Sequence, residues 1–175
     1  FLVLARLLLP VEFGLLAAAQ VFVALSRALA EAGLSRTLVQ KPTLRAAHLD
    51  SAFLVSAIIG AVLALIMAAT APLVADLYNL PRLTPVLLAL SVVPLLVGLS
   101  NVPDAILSRQ LMFRALAVRG MYAVVSAGVV GIALAFLGAG AWALVAQVIT
   151  QAVVAFVVLW VSARWKPGRQ WEGPA

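Results

Sequence analysis

The sequence contains no cysteine and a single histidine, His48. It therefore has no disulfide framework, no thiol nucleophile, and no zinc-thiolate or histidine metal cluster, so neither a metal nor a cofactor is expected. Charge is scarce too: Lys+Arg number 12 and Asp+Glu 6 among 175 residues, or 10%, while 65% are hydrophobic. Soluble domains carry about 25% charged residues. So few charges cannot cover an 18.3 kDa particle, and a mean hydropathy of +1.16 excludes a water-soluble globule. The net charge of +6 does not point to nucleic acid, because the basic residues fall in short clusters between apolar runs with no aromatic-interleaved stripe.

Catalytic signatures are also missing. There is no nucleotide-binding glycine loop followed by Lys-Ser/Thr, no Gly-x-Ser-x-Gly elbow and no His-Glu-x-x-His. With few ionisable groups and no long extracytoplasmic loop, membrane-embedded transferase or polymerase chemistry has little to work with. Transport without covalent chemistry fits better.

What the chain does have is apolar length. Five stretches, at about 15–34, 52–71, 86–102, 116–137 and 141–163, are each near the length that spans a hydrocarbon core. A helix rising about 1.5 Å per residue needs roughly 20 residues for that. Residues 1–9 read as the tail of a truncated first helix. The runs are continuously apolar instead of alternating, and lipid-exposed backbone must satisfy its own hydrogen bonds, so helices are favoured over barrel strands. The expected fold is an all-α polytopic transmembrane bundle of five complete helices plus that tail. Residues 1–165 would form one lobe and 166–175 a basic cytoplasmic tail or linker.

Short connectors with turn residues separate the segments: Pro10 with Gly14, Lys41-Pro42, Asn79 to Pro85, Asn101 to Asp104 around Pro103, and Gly138-Ala139-Gly140. Pro94, one turn before Gly98, predicts a kink in the fourth segment, read as static packing ahead of a hinge. Nine basic residues (Arg36, Lys41, Arg45, Arg109, Arg114, Arg119, Arg164, Lys166 and Arg169) flank alternate ends of the segments. Only Arg6 and Arg82 lie at the opposite ends, with Arg27 left inside a segment. The positive-inside rule then makes the connectors holding Lys41 and Arg114 cytoplasmic, and the N-terminus cytoplasmic as well. Trp142 at the outer boundary and Trp160, Trp165 and Trp171 at or beyond the inner one suit interfacial anchoring. Glu12, Asp50, Asp76 and Asp104 are expected in loops, solvated; His48 sits with Arg45 in an inward loop.

Segment two carries the densest polarity. Gln20, Arg27 and Glu31, spaced by seven and eleven residues from the first, fall on one helical face. At 100° per residue they lie within about 40° of one another. Two readings stay open: a self-neutralised Arg27–Glu31 pair that helps helices pack, or an anion-binding or proton-coupled cavity site. In segment six Gly140, Gln147 and Gln151 share a face suited to interhelical hydrogen bonds. Ser56, Gly60 and Thr70 in segment three, and Ala127 with Gly131 in segment five, read as close-packing features.

Several stretches resemble a known family: Leu4-Ala5-Arg6-Leu7-Leu8-Leu9-Pro10-Val11-Glu12-Phe13-Gly14, then Glu31-Ala32-Gly33-Leu34-Ser35 leading to Leu38-Val39-Gln40-Lys41. The likeness continues through Ala71-Pro72-Leu73-Val74-Ala75, Arg109-Gln110-Leu111-Met112-Phe113-Arg114 and Gly138-Ala139-Gly140-Ala141-Trp142. In order and spacing the chain resembles the N-terminal half of Wzx-type polysaccharide and lipopolysaccharide exporters of the multidrug/oligosaccharidyl-lipid/polysaccharide (MOP) superfamily. The resemblance implies a bundle of about 12 to 14 helices in two lobes, with alternating access. This chain would supply one lobe, with the C-terminal lobe as its partner. Its implied activity is translocation of an undecaprenyl-diphosphate-linked oligosaccharide across the bacterial inner membrane, with the substrate, membrane lipid and a coupling ion (H+ or Na+) as partners. Such cavities are typically cationic, which suits a diphosphate. On this reading Arg27 binds the headgroup, Glu31 sets its charge or couples an ion, and Gln20, Gln147 and Gln151 face the sugars. The alternatives are a drug or metabolite antiporter on the same scaffold and a membrane-embedded glycan polymerase or ligase, the latter needing an extracytoplasmic loop rich in Arg, His or Glu.

Overall fold

Continuous apolar stretches bounded by proline, glycine and asparagine can satisfy their backbones in lipid only as helices, and helices are what they form. A computed structural model describes residues 10–32, 46–110 and 112–163, excluding the side chains at 10, 31, 32, 46–48, 113 and 115. The described residues are helical and contain no strand: α1 (Pro10–Ala32), α2 (Ala46–Leu77), α3 (Leu83–Leu90), α4 (Val92–Arg109), α5 (Phe113–Phe136) and α6 (Ala141–Ala163). α3 and α4 together make one span, so five helical stretches are long and apolar enough to cross a membrane. The tail at residues 1–9, the connector holding Arg36, Lys41 and Arg45, and the basic end with Trp165 and Trp171 lie outside the described residues.

The spans run further than hydropathy alone predicts. α2 reaches Leu77, with Pro72 inside it and Asp76 in its last turn, so Asp76 is helical and not in a loop. Thr70 Oγ1 donates to the Ile66 carbonyl at 2.8 Å in the turn before that proline. The helix stops where Asn79 takes a left-handed φ of 53°, which asparagine tolerates, and the Leu80 N–H closes on the Ala75 carbonyl at 2.9 Å. Asp50 is likewise within α2 and Glu12 within α1.

The expected connector at Asn101 to Asp104 is helix as well, part of α4 up to Arg109. Pro103 costs one backbone bond, but Asn101, Val102 and Pro103 are all buried, and that packing carries the helix past it. The kink expected at Pro94 takes the form of a break at Ser91, between α3 and α4. Pro94 has no N–H to donate one turn back, and the Ser91 hydroxyl bonds the Leu88 carbonyl at 2.7 Å beside the break.

α4 is the central helix and touches all the others, while α5 and α6 form the most extensive pair. Small residues let α4 and α2 approach closely: a Cβ on Gly98 would stand 2.5 Å from the Ser56 carbonyl, and one on Gly60 2.8 Å from that of Pro94. Gly131 of α5 is covered by Gln147 of α6, with Ala127 buried one turn away. A core of Leu15, Leu16, Ala19 and Val23 from α1, Leu83, Leu87 and Leu90 from α3, and Leu144 and Val145 from α6 unites the bundle. The periphery stays apolar, with Leu54, Leu65, Leu73, Val125 and Val161 exposed, as lipid requires. Trp142 is half exposed at the start of α6, whereas Trp160 is not a simple interfacial anchor: it packs edge-on against Phe53 at 5.7 Å and beside Phe156.

One contact joins two of the stretches that carry the family resemblance. The Glu12 carboxylate in the first turn of α1 lies against Gly140 at the start of α6. Gly138 and Gly140 have φ of 75° and 56°, which lets the chain turn tightly into α6. Glu12 is therefore seated against another helix and not solvated in a loop.

Candidate functional site

Polar side chains on helices that pack through small residues must converge on one another or on water, because lipid offers them no partners. Four helices do this around a cavity of about 700 Å³. α1 brings Arg27, α4 brings Ser100, Asn101 and Asp104, α5 brings Arg119 and Gly120, and α6 brings Gln151. The α1, α4 and α5 residues all sit toward the helix ends nearest the α4–α5 connector, so the cavity occupies that half of the bundle.

Asn101 positions one wall. It is 5% exposed, and its Nδ2 donates to the Ala30 carbonyl at 2.9 Å. That carbonyl lies in the turn of α1 that follows Arg27, so an amide on α4 ties α1 in place and sets Arg27 against the cavity. Ser100 spends its proton on the Leu96 carbonyl at 2.7 Å, leaving its oxygen lone pairs available. Across the cavity Arg119 Nη1 is paired with Asp104 Oδ1, the two side chains being 30% and 42% exposed. An ion pair this open contributes about 0–1 kcal/mol. Arg27 is half-buried, and its Nε is enclosed without a hydrogen-bond partner. A buried donor left unpaired costs about 1–3 kcal/mol, which an acceptor entering the cavity would recover.

Of the five residues singled out in the sequence, the structure brings Arg27 and Gln151 into the cavity. Gln147, one turn from Gln151, is instead seated on Gly131, its Oε1 3.2 Å from where a Cβ there would be. Gln20 is exposed on α1, outside the cavity lining. Glu31 falls in α1, its side chain outside the described residues. His48 is likewise within α2 with its side chain undescribed. Among the described residues no group of His, Asp and Glu could hold a metal ion.

Four cavity residues escape the sequence reading: Ser100, Asn101, Asp104 and Arg119. A signal for three of them exists, since Val97, Ser100, Asn101 and Asp104 fall at i, i+3, i+4 and i+7, one helical face. Pro103 hides it by marking the stretch as a connector. Arg119, assigned to a connector by charge, is in the second turn of α5. Arg27 is thus not alone among basic residues within the helices.

A helical bundle with five membrane-length spans and a polar cavity between them defines a multi-pass membrane protein. The chain belongs to the polysaccharide biosynthesis protein family, whose pattern it matches over residues 3–174. It is 32% identical over 166 residues to the succinoglycan biosynthesis transport protein ExoT of Rhizobium meliloti (strain 1021). That match covers 94% of this chain and 33% of the relative, so the chain spans about a third of that protein's length. No solved structure matches the chain significantly. Family and relative agree with the resemblance to polysaccharide exporters of the MOP type.

Proposed function

We propose that this chain is the N-terminal lobe of a carrier that moves a lipid-linked oligosaccharide, joined to its undecaprenyl carrier through a diphosphate, from the cytoplasmic to the outer leaflet of the bacterial inner membrane. The observation that carries this reading is Arg27, whose buried Nε is unpaired at the edge of a polar cavity. About 700 Å³ is the size of a small-molecule site, roughly 300–1,000 Å³, so the lobe holds the diphosphate end of the substrate and not a long glycan. Gln151 offers an amide to the first sugar. The basic residues Arg109 and Arg114 beside the cavity, against Arg82 alone in the α2–α3 turn, support a cavity in the cytoplasmic half, where such a substrate is made, with the N-terminus cytoplasmic. No covalent step is required: the carrier shelters the headgroup, a coupling ion (H+ or Na+) drives the cycle, and the C-terminal lobe completes the cavity. A relative named as a transport protein supports a carrier over a polymerase.

In the full-length protein, Arg27→Gln is expected to abolish export of lipid-linked glycan while the protein remains inserted and abundant. Arg27→Lys should keep part of the activity, since a point charge still attracts diphosphate although the bidentate fork is lost. Normal export by Arg27→Gln would show that Arg27 only packs. Export of a hydrophobic cation in place of glycan would favour a drug antiporter.

A further inference from the structure

We propose that Arg119 is a second anion-binding group of the cavity and that Asp104 is its built-in competitor, holding the guanidinium until a phosphate-bearing headgroup displaces it. The inference rests on the headgroup reading above and adds to it the residues that set the strength and selectivity of binding.

Three observations meet in it. The two partners stand on different helices, α4 and α5, and both line the cavity, so a ligand that fills the cavity reaches the pair. Neither side chain is enclosed, at 30% and 42% exposure, so water competes for the pair and little holds it closed. Finally, the Arg119 fork prefers a phosphate, which carries more charge and more acceptor oxygens than a carboxylate and can take two parallel N–H donors.

Displacement does not remove Asp104 from the scene. It shares the α4 face of Ser100 and Asn101, and Asn101 fixes that face to the end of α1. The released carboxylate therefore still faces the bound anion. Besides Ser100 and Asn101, the polar groups lining the cavity are Arg27 from α1 and the neutral Gln151 from α6. A like charge kept in place raises the threshold for entry. A singly charged anion gains too little from Arg119 to displace the carboxylate, whereas a diphosphate, contacting Arg27 and Arg119 together, does. The same repulsion assists release once the cavity opens to the other side.

The test is calorimetric titration of the purified full-length protein with pyrophosphate, with melting temperature as the control for folding. Asp104→Asn should bind about tenfold tighter than wild type, within the 5- to 150-fold typical of coupled sites. Asp104→Glu should bind as wild type does. Arg119→Gln should bind severalfold more weakly, and adding Asp104→Asn to it should give a much smaller gain than Asp104→Asn gives in wild type, because only the repulsion of the anion is then relieved and no competition for Arg119 is left to remove. Unchanged or weaker binding by a folded Asp104→Asn, or an equally large gain without Arg119, overturns the proposal and makes the pair a strap between α4 and α5. Should Asp104→Asn fail to fold, Arg119→Lys decides: it keeps the charge but not the fork, and unchanged pyrophosphate affinity overturns the proposal. If Arg27→Gln loses pyrophosphate binding while Asp104→Asn matches wild type, only this inference fails. If wild type binds no pyrophosphate, the headgroup reading fails with it.

Discussion

Asn101 shows how one amide ties the cavity to the rest of the bundle. Its Nδ2 serves the Ala30 carbonyl across 71 residues of sequence, in the turn of α1 that follows Arg27. Asn101→Leu keeps the volume and removes the donor, leaving a buried carbonyl unsatisfied at a cost of about 1–3 kcal/mol. The expected result is a lower melting temperature in detergent together with weaker pyrophosphate binding, because α1 loses its anchor beside Arg27. A variant that melts as wild type does and binds normally would show that water replaces the amide. Ser100, one residue away, already satisfies its proton within α4, so Ser100→Ala should leave the fold unchanged.

Helix pairs here are set by what the side chains leave out. α2 and α4 meet at Gly60 and Gly98, where an added methyl would collide with backbone carbonyls at 2.8 and 2.5 Å, and backbone cannot rotate aside as a side chain can. Gly60→Ala and Gly98→Ala should therefore each cost about 1–3 kcal/mol, seen as a drop in thermal stability. Gly128→Ala on α5 is the contrast: nothing stands within 4 Å of the new methyl, so helix propensity makes it neutral or stabilising by up to about 1 kcal/mol. Equal effects at all three sites would refute close packing as the reason for these glycines. Pro94 belongs to the same contact, fully buried with its carbonyl against Gly60, which favours static packing over a hinge.

For the molecule as a whole, charge predicts the side of the membrane on which the cavity opens. Arg109 and Arg114 flank the α4–α5 connector beside the cavity, while the α2–α3 turn holds only Arg82. In this cysteine-free chain single cysteines report the orientation directly. Ser108→Cys, near the end of α4, should resist an impermeant thiol reagent added to intact cells, and Asn79→Cys should react with it. The opposite pattern would turn the cavity outward and remove the cytoplasmic headgroup reading.

The membrane class, the helical fold and the number of spans follow from the sequence alone. Hydropathy over a membrane's thickness and the need of lipid-exposed backbone to bond within its own helix are local quantities, readable from consecutive residues. That Arg27 and Gln151 share a face with polar neighbours in their own helices is equally local. Where each polar face points was a tertiary matter. Gln151 reaches the cavity while Gln147, on the same face and one turn away, is spent on Gly131 of the neighbouring α5, which no pattern within α6 itself reveals. Pro103 marks a loop by local rules, yet burial of Asn101, Val102 and Pro103 against other helices keeps it helical and carries Asp104 on to Arg119. The pairing of groups 15 and 71 residues apart depends on which helices pack together, α4 with α5 and α4 with α1, and no pattern of consecutive residues encodes that.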